Sequence, residues 1–367
     1  MPIFLSMIVW VVLMRILCSG SMRYTRLPGG SRAYKVPVMV SVLTMGYIVF
    51  WIGMSSFMAD STAYIRSFIK TVPDLSKIPD ILDAGGRSVL WDIPIILFKA
   101  LVSDYYQTWL MALTMLMGFS IAHWLKKYSE AFFFSLLLFV LNTDFTWMYN
   151  GIRQFTCVTI LLLAFPWLIK GETKKYLALV AILSQVHFSV LIMIPIYFVV
   201  RQKPWSKLLI LSIFAVCGIC AFSGAFADSM ETVLEHTSYK GASIISKDDD
   251  GAHPMRALIL AVPAILAWIN RKRIEAENNP VLNICVNLSL QAALLMSIAV
   301  FTSGIMMGRL AIYCSIYSFL TLPMVIARWP NKQLRTPIQL ACVVCYGLYF
   351  SLEMRGGYYY SILTGPL

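Results

Sequence analysis

Long apolar runs alternate with short polar joints along almost the whole chain. Uninterrupted or nearly uninterrupted apolar stretches lie at 3–18, 36–58, 105–124, 131–149, 152–169, 208–226, 255–270, 281–303, 307–327 and 336–352. A helix that crosses a bilayer needs about 20 apolar residues, with a range of about 17–25, so each stretch predicts one span. Tyr176–Val200 reads two ways. It is one long helix, or two shorter ones broken at the polar knot Ser184-Gln185-Val186-His187-Phe188-Ser189. The pattern therefore predicts an all-α polytopic membrane protein, a single transmembrane domain over 1–367, with about 10–12 transmembrane helices.

Loop charge chooses between the two readings of 176–200. With the N-terminus outside and 176–200 taken as a pair, the inner loops 19–35, 125–130, 170–175, 201–207, 271–280 and 328–335 carry 18 Lys+Arg against 4 Asp+Glu. The outer segments 59–104, 227–254 and 353–367 carry 8 against 13. That is the positive-inside bias. A single span at 176–200 would put Arg201, Lys203, Lys207 and Arg271-Lys272-Arg273 outside, so a broken or re-entrant pair is the expectation. Broken helices survive at membrane depth where they line a cavity, which makes the pair a site candidate too. The outer segment 59–104 contains Trp91–Val102, too short to span and expected to lie along the interface. The outer loop 227–254 ends in Asp248-Asp249-Asp250 and reads as a solvated loop, with a lid over the substrate as the rival reading.

Composition agrees. The chain has 367 residues, 59% hydrophobic and 13% charged; soluble domains are nearer 45–50% apolar and about 25% charged. The net charge of +12 sits in short loops between spans, which argues against a nucleic-acid partner. All eight cysteines fall inside apolar stretches and read as small apolar residues. No histidines have metal-ligand spacing, so neither metal nor cofactor is expected. The N-terminus opens directly on an apolar run, which argues against a cleaved signal peptide.

Five charges remain that the loops do not explain: Arg15, Asp144, Arg153, Arg256 and Arg309. A charge at membrane depth costs on the order of 2.5–3.5 kcal/mol on insertion scales. Arg15 lies at an inner helix end, where snorkelling accounts for it. The other four all fall near the outer ends of their helices in this topology. Three arginines from separate helices at one level suggest an anion site at the outer leaflet, since the guanidinium fork suits phosphate. Blander readings stand beside it. Arg153 would pair with Asp144 as a structural bridge, and Arg256, after Pro254, would be an interfacial anchor. His187 is a general base or a donor to phosphate or sugar, or else a buried histidine with its bonds satisfied. Asp60 and Tyr64 share a face if their segment is helical, and Asp60 would otherwise cap that helix.

Asp60-x-x-x-Tyr64 with Arg66 nearby, Asn150-Gly151-Ile152-Arg153-Gln154, His187-Phe188-Ser189 ahead of Pro195, and Arg309-x-x-x-Tyr313 ahead of Pro323 together resemble the EpsG-like/Wzy family of bacterial polysaccharide polymerases. Where many relatives carry a Glu-Pro-Gly-like element, this chain has Trp91-Asp92-Ile93-Pro94. The resemblance implies a GT-C-like, metal-independent glycosyltransferase of the inner membrane with its active site facing the periplasm. Its implied substrates are undecaprenyl-pyrophosphate-linked oligosaccharides, and its implied partners are membrane lipid, a chain-length regulator and a flippase. Arg153 and Arg309 would hold the two phosphates, with Arg256 third. Gln154, Asn150, Asp144, Tyr64, Tyr313 and Arg66 would contact substrate, and His187 or Asp60 would take the acceptor proton. Tyr64, Trp91, Trp147 and Tyr149 would stack on sugar or form an interfacial belt. A ligase, a modifying transferase or a flippase would also want outward cations; a flippase should carry charge through the membrane depth and show repeat symmetry.

Overall fold

The computed structural model describes residues 2–21, 23–27, 32–83, 89–235, 251–355, 359–361, 363 and 365–366. The Asp248-Asp249-Asp250 run and His236 lie outside them. The chain divides into two compact units, Met1–Leu191 with Ala341–Leu367, and Ile192–Leu340.

The first unit begins with α1 (Pro2–Leu17), a short antiparallel hairpin of β1 (Arg23–Arg26) and β2 (Arg32–Lys35), and α2 (Val38–Gly53). The segment that follows folds into α3 (Ser61–Lys70), α4 (Ile78–Asp83) and α5 (Val89–Leu101). After it come α6 (Tyr106–Tyr128), α7 (Phe132–Leu141), α8 (Ile152–Leu163), α9 (Phe165–Lys170) and α10 (Thr173–Leu183). In the second unit α11 (Met193–Val200), α12 (Lys207–Ala221) and α13 (Ser223–Glu235) precede α14 (Pro254–Ile269), α15 (Arg271–Glu277), α16 (Pro280–Phe301), α17 (Ile312–Ser315) and α18 (Ser318–Ala327). α19 (Arg335–Glu353) follows, and its residues from Ala341 belong to the first unit.

The protein is an all-α polytopic membrane protein, but many of its helices are shorter than the apolar runs that encode them. Among the described residues two helices, α6 and α16, are long and apolar enough to cross a bilayer whole, and the number rises to four if two bent pairs each count as one span. The run 131–149 ends as a helix at Leu141 because Thr143 takes the left-handed conformation (φ 63°), and Asp144–Met148 continue as a 3₁₀ turn. The run 307–327 bends by 47° between Ser315 and Ser318. The stretch 176–200 is broken, as expected: α10 stops at Leu183, residues 184–187 turn, and a 3₁₀ turn resumes at Phe188.

Glycine permits a close helix approach in the first unit. A Cβ on Gly118 of α6 would collide with the Val49 methyl of α2, so the two backbones pack at a distance only glycine allows. At one end of this unit Phe165 packs edge-on against Trp124 (6.0 Å) and Tyr128 (5.0 Å) of α6. At the other, Gln107 of α6 donates to the carbonyls of Gly53 and Ser55 at the end of α2. In the second unit Asn279 caps α16 by accepting from Val281 and Leu282 N–H (3.0 and 3.2 Å). Two buried asparagines satisfy carbonyls at the C-terminal ends of neighbours: Asn287 donates to Val200 and Gln202, and Asn270 to Val325 and Arg328. Lipid-facing stripes remain exposed, such as Leu340, Val344, Leu348 and Leu352 on α19. Apolar surface in such stripes marks a membrane or protein contact.

Candidate active site

Gly151 sets the position of Arg153. It stands at the N-cap of α8 with φ +83°, a conformation costly for residues with a Cβ. A Cβ there would also meet the Trp147 ring at 3.0 and 3.2 Å. The left-handed residue turns the chain out of the 3₁₀ turn Asp144–Met148 and into α8, so Arg153 lies in the first turn of that helix. The helix dipole presents partial positive charge at that end.

The half-buried Arg153 side chain has two neutral partners. Its Nε donates to the Val186 carbonyl at 2.9 Å, and its guanidinium carbon lies 5.6 Å from the centre of the Trp91 ring. One turn further along α8, the Cys157 thiol contacts the Leu183 carbonyl at 3.6 Å. These bonds fasten the start of α8 to the broken end of α10. The residue after Val186 is His187, whose Nδ1 bonds the Ser189 hydroxyl at 2.7 Å. The Gly-Ile-Arg-Gln and His-Phe-Ser blocks, far apart in sequence, are thus adjacent. Among the described residues Arg153 forms no ion pair. A bridge to Asp144, left open by the sequence, is not formed; Asp144 is buried and accepts instead from Asn142 Nδ2 at 2.9 Å.

Trp91 links α3 and α6 to Arg153. Tyr64 meets it edge-on at 5.8 Å and Trp109 at 6.0 Å. Lys99 ties α5 to the C-terminal end of α3, donating to the carbonyls of Phe68 (2.9 Å) and Thr71 (2.6 Å), where cations are favoured. Trp91 is only 5% exposed and Tyr149 8%, so neither offers a face to sugar and that expectation is corrected for both. Tyr64 and Trp147 are half-buried. Asp60 occupies the N-cap position of α3 without a capping bond from its side chain, and the helix places it on the face of Tyr64. Arg66 is exposed on the far side of α3, in a shallow depression of about 440 Å³ shared with Lys70 and Thr71. Gln154 is buried and Asn150 half-buried.

In the second unit Arg256 is half-buried in the first turn of α14, whose N-cap His253 accepts from Met255 N–H at 3.2 Å. Arg309 is half-buried in a 3₁₀ turn leading to the buried Tyr313. The two arginines belong to one end of this unit. Ala252 N–H bonds the Ala299 carbonyl (2.8 Å), and Gly304, five residues before Arg309, packs directly on Gly251 and Ala252. The opposite end collects the basic loops: Trp205 packs on Trp268 (4.9 Å), and Arg328 makes a bidentate bridge to Glu277 (2.5 and 2.6 Å). That bridge holds the Glu277 carboxyl below its ordinary value of 4.5, chiefly through the hydrogen bonds from Arg328. Each unit therefore carries its unexplained arginines at the end away from its basic loops. In the first unit Arg153 reaches, through Trp91, the Trp109 end of α6, while Lys126 and Lys127 lie at the other.

A model of the EpsG family matches residues 33–363. The chain belongs to the EpsG family. No curated protein and no solved structure matches it. Membership gives a multi-pass membrane protein with a polysaccharide-polymerase-like, glycosyltransferase-like role.

In this EpsG-family chain the first unit brings Arg153 onto Val186, the neighbour of His187, and links Tyr64 to Arg153 through Trp91, while Asp60 shares the α3 face of Tyr64. Arg256 and Arg309 share an end of the second unit. Val186 and Cys157 were missed; a backbone carbonyl leaves no sequence signal, and Cys157 shows only its i+4 spacing from Arg153. The arrangement presents a fixed guanidinium beside a histidine. A guanidinium can bind an anion and an imidazole can move a proton. Among the described residues no group of three or more His, Cys, Asp or Glu could hold a metal ion.

Proposed function

We propose that the chain polymerises undecaprenyl-pyrophosphate-linked oligosaccharide repeat units at the periplasmic face of the bacterial inner membrane. The growing glycan passes from its lipid carrier to the non-reducing end of the incoming unit. The acceptor hydroxyl oxygen bonds to the anomeric carbon as the bond to the pyrophosphate oxygen breaks. The hydroxyl proton goes to His187 or Asp60, and the negative charge stays on the lipid pyrophosphate. Arg153 stabilises that charge.

The observation that carries this reading is the clasp on Arg153. Its Nε is occupied, and its two terminal nitrogens bond no described residue. A guanidinium kept for structure is ordinarily paired with a carboxylate; one held by neutral groups keeps its full charge for an anion. Removing one such donor from a developing anion costs about 10²–10³ in rate. The test is a gel of surface glycan from a deletion strain with and without this chain. A ladder of polymer lengths only in its presence supports the proposal, and a ladder in both strains sinks it.

A further inference from the structure

The Arg153 clasp has one member that sequence placed elsewhere. We propose that Trp91 is a positioning residue for Arg153, holding the guanidinium by its ring face so that the terminal nitrogens point at the leaving pyrophosphate. The inference rests on Arg153 being the pyrophosphate cation.

Three observations support it. First, the guanidinium carbon is 5.6 Å from the ring centre, within the range of about 6 Å in which the quadrupole of an aromatic face attracts a cation, and tryptophan is the strongest such ring. Second, Trp91 is itself immobilised. Tyr64 of α3 meets it at 5.8 Å and Trp109 of α6 at 6.0 Å, both tilted by more than 60°, and the side chain is only 5% exposed. A ring so enclosed is a wall for its neighbour, with no face left for a sugar. Third, the helix that carries Trp91 is pinned by Lys99 to the end of α3, with its Nζ 2.9 and 2.6 Å from two carbonyls.

The choice of partner has an electrostatic reason. The Val186 carbonyl bonds Nε and fixes one edge of the guanidinium plane; the indole face fixes the plane as a whole. Neither carries net charge. A carboxylate in either place would orient the arginine equally well, but would cancel the field the pyrophosphate is meant to feel, strongly so where water is scarce. Two neutral restraints give orientation without neutralisation, which is what preorganised stabilisation of a growing anion needs. This also gives the Asp-x-x-x-Tyr segment a physical link to the arginine, because Tyr64 supports Trp91 and Trp91 supports Arg153.

The test replaces Trp91 in the full chain, expressed in the deletion strain, and measures repeat-unit incorporation by membranes at matched protein level. Trp91→Leu should lower the rate about 5- to 30-fold, and Trp91→Phe should recover most of it. Fluorotryptophans placed at residue 91 alone keep the shape and withdraw charge from the ring. Mono-, di- and trifluorinated rings should lower the rate stepwise, to about fivefold for the last. A purely structural role would not respond to fluorine. A flat fluorine series overturns the proposal even if Trp91→Leu fails to fold. Arg153→Ala in the same assay separates the two claims: a flat series with Arg153→Ala inactive removes only the clasp, whereas an active Arg153→Ala removes the pyrophosphate reading and the clasp together.

Discussion

Gly151→Ala perturbs the site without altering Arg153 or His187. Gly151 has φ +83°, and holding an L-residue in the left-handed region costs roughly 1–2 kcal/mol. Alanine restricts the unfolded chain more than glycine does, which returns about 0.4–1 kcal/mol. The new methyl would lie 3.0 and 3.2 Å from two carbons of the Trp147 ring, so the half-buried indole must yield by a few tenths of an ångström. The net backbone expectation is a loss of roughly 0–1.6 kcal/mol, to which the Trp147 contact adds, read as a modest fall in the unfolding midpoint of detergent-purified protein. Activity should fall further than stability. Arg153 stands two residues on, and a displacement of about 1 Å at a positioned group can cost about 10²-fold. Gly151→Asn should be milder than Gly151→Ala, because asparagine tolerates the left-handed conformation, and Gly151→Val should be worst. If all three unfold and polymerise like the parent chain, the strained entry into α8 does not position Arg153 and the reasoning fails.

Further expectations concern parts of the structure away from Arg153. The Glu277 carboxyl titrates below its ordinary 4.5 when folded because Arg328 bonds it. Its stabilisation is therefore present above about 4.5 and disappears as pH falls through the depressed folded value. Glu277→Gln should lower neutral-pH stability by less than about 1 kcal/mol, since the carboxylate is partly exposed, and should flatten the acid side of a stability–pH curve; an unchanged acid limb would contradict the linkage. Lys99→Met removes the cation from the carbonyls that end α3; limited proteolysis should cut the outer segment faster, and an unaltered digest would count against the tie. Lys203→Cys, in a background without the exposed Cys217 and Cys345, should react only with membrane-permeant thiol reagents, and labelling from the periplasm would reverse the orientation assigned to 201–207.

Much of this architecture was legible from residue pattern because a bilayer imposes a crude rule. Apolar length marked α1, α2, α6, α14 and α16, and the polar knot at 184–189 marked the break after Leu183. Shorter interruptions were not legible. The run 131–149 looks continuous, yet Thr143 turns left-handed and the helix ends. The hairpin Arg23–Arg26 with Arg32–Lys35 was hidden because its basic residues read simply as an inner loop. Charge at membrane depth singled out Arg153, Arg256 and Arg309, the polar knot singled out His187, and the shared helix face singled out Asp60 and Tyr64. Spacing could not show that Arg153 bonds a carbonyl 33 residues away. Nor could it show that Trp91 faces a cation, because a tryptophan in an outer segment looks like any interfacial anchor. What escaped was contact made through backbone groups and ring faces, which leave no type-specific trace along the chain.

The central claim is that Arg153 carries the charge of the leaving pyrophosphate. The most direct measurement is the surface-glycan ladder of a deletion strain complemented with Arg153→Ala or Arg153→Lys at normal protein level. Single repeat units with Arg153→Ala and a sharply weakened ladder with Arg153→Lys, whose ammonium lacks the planar fork, are the predicted results. A full ladder with Arg153→Ala would contradict it.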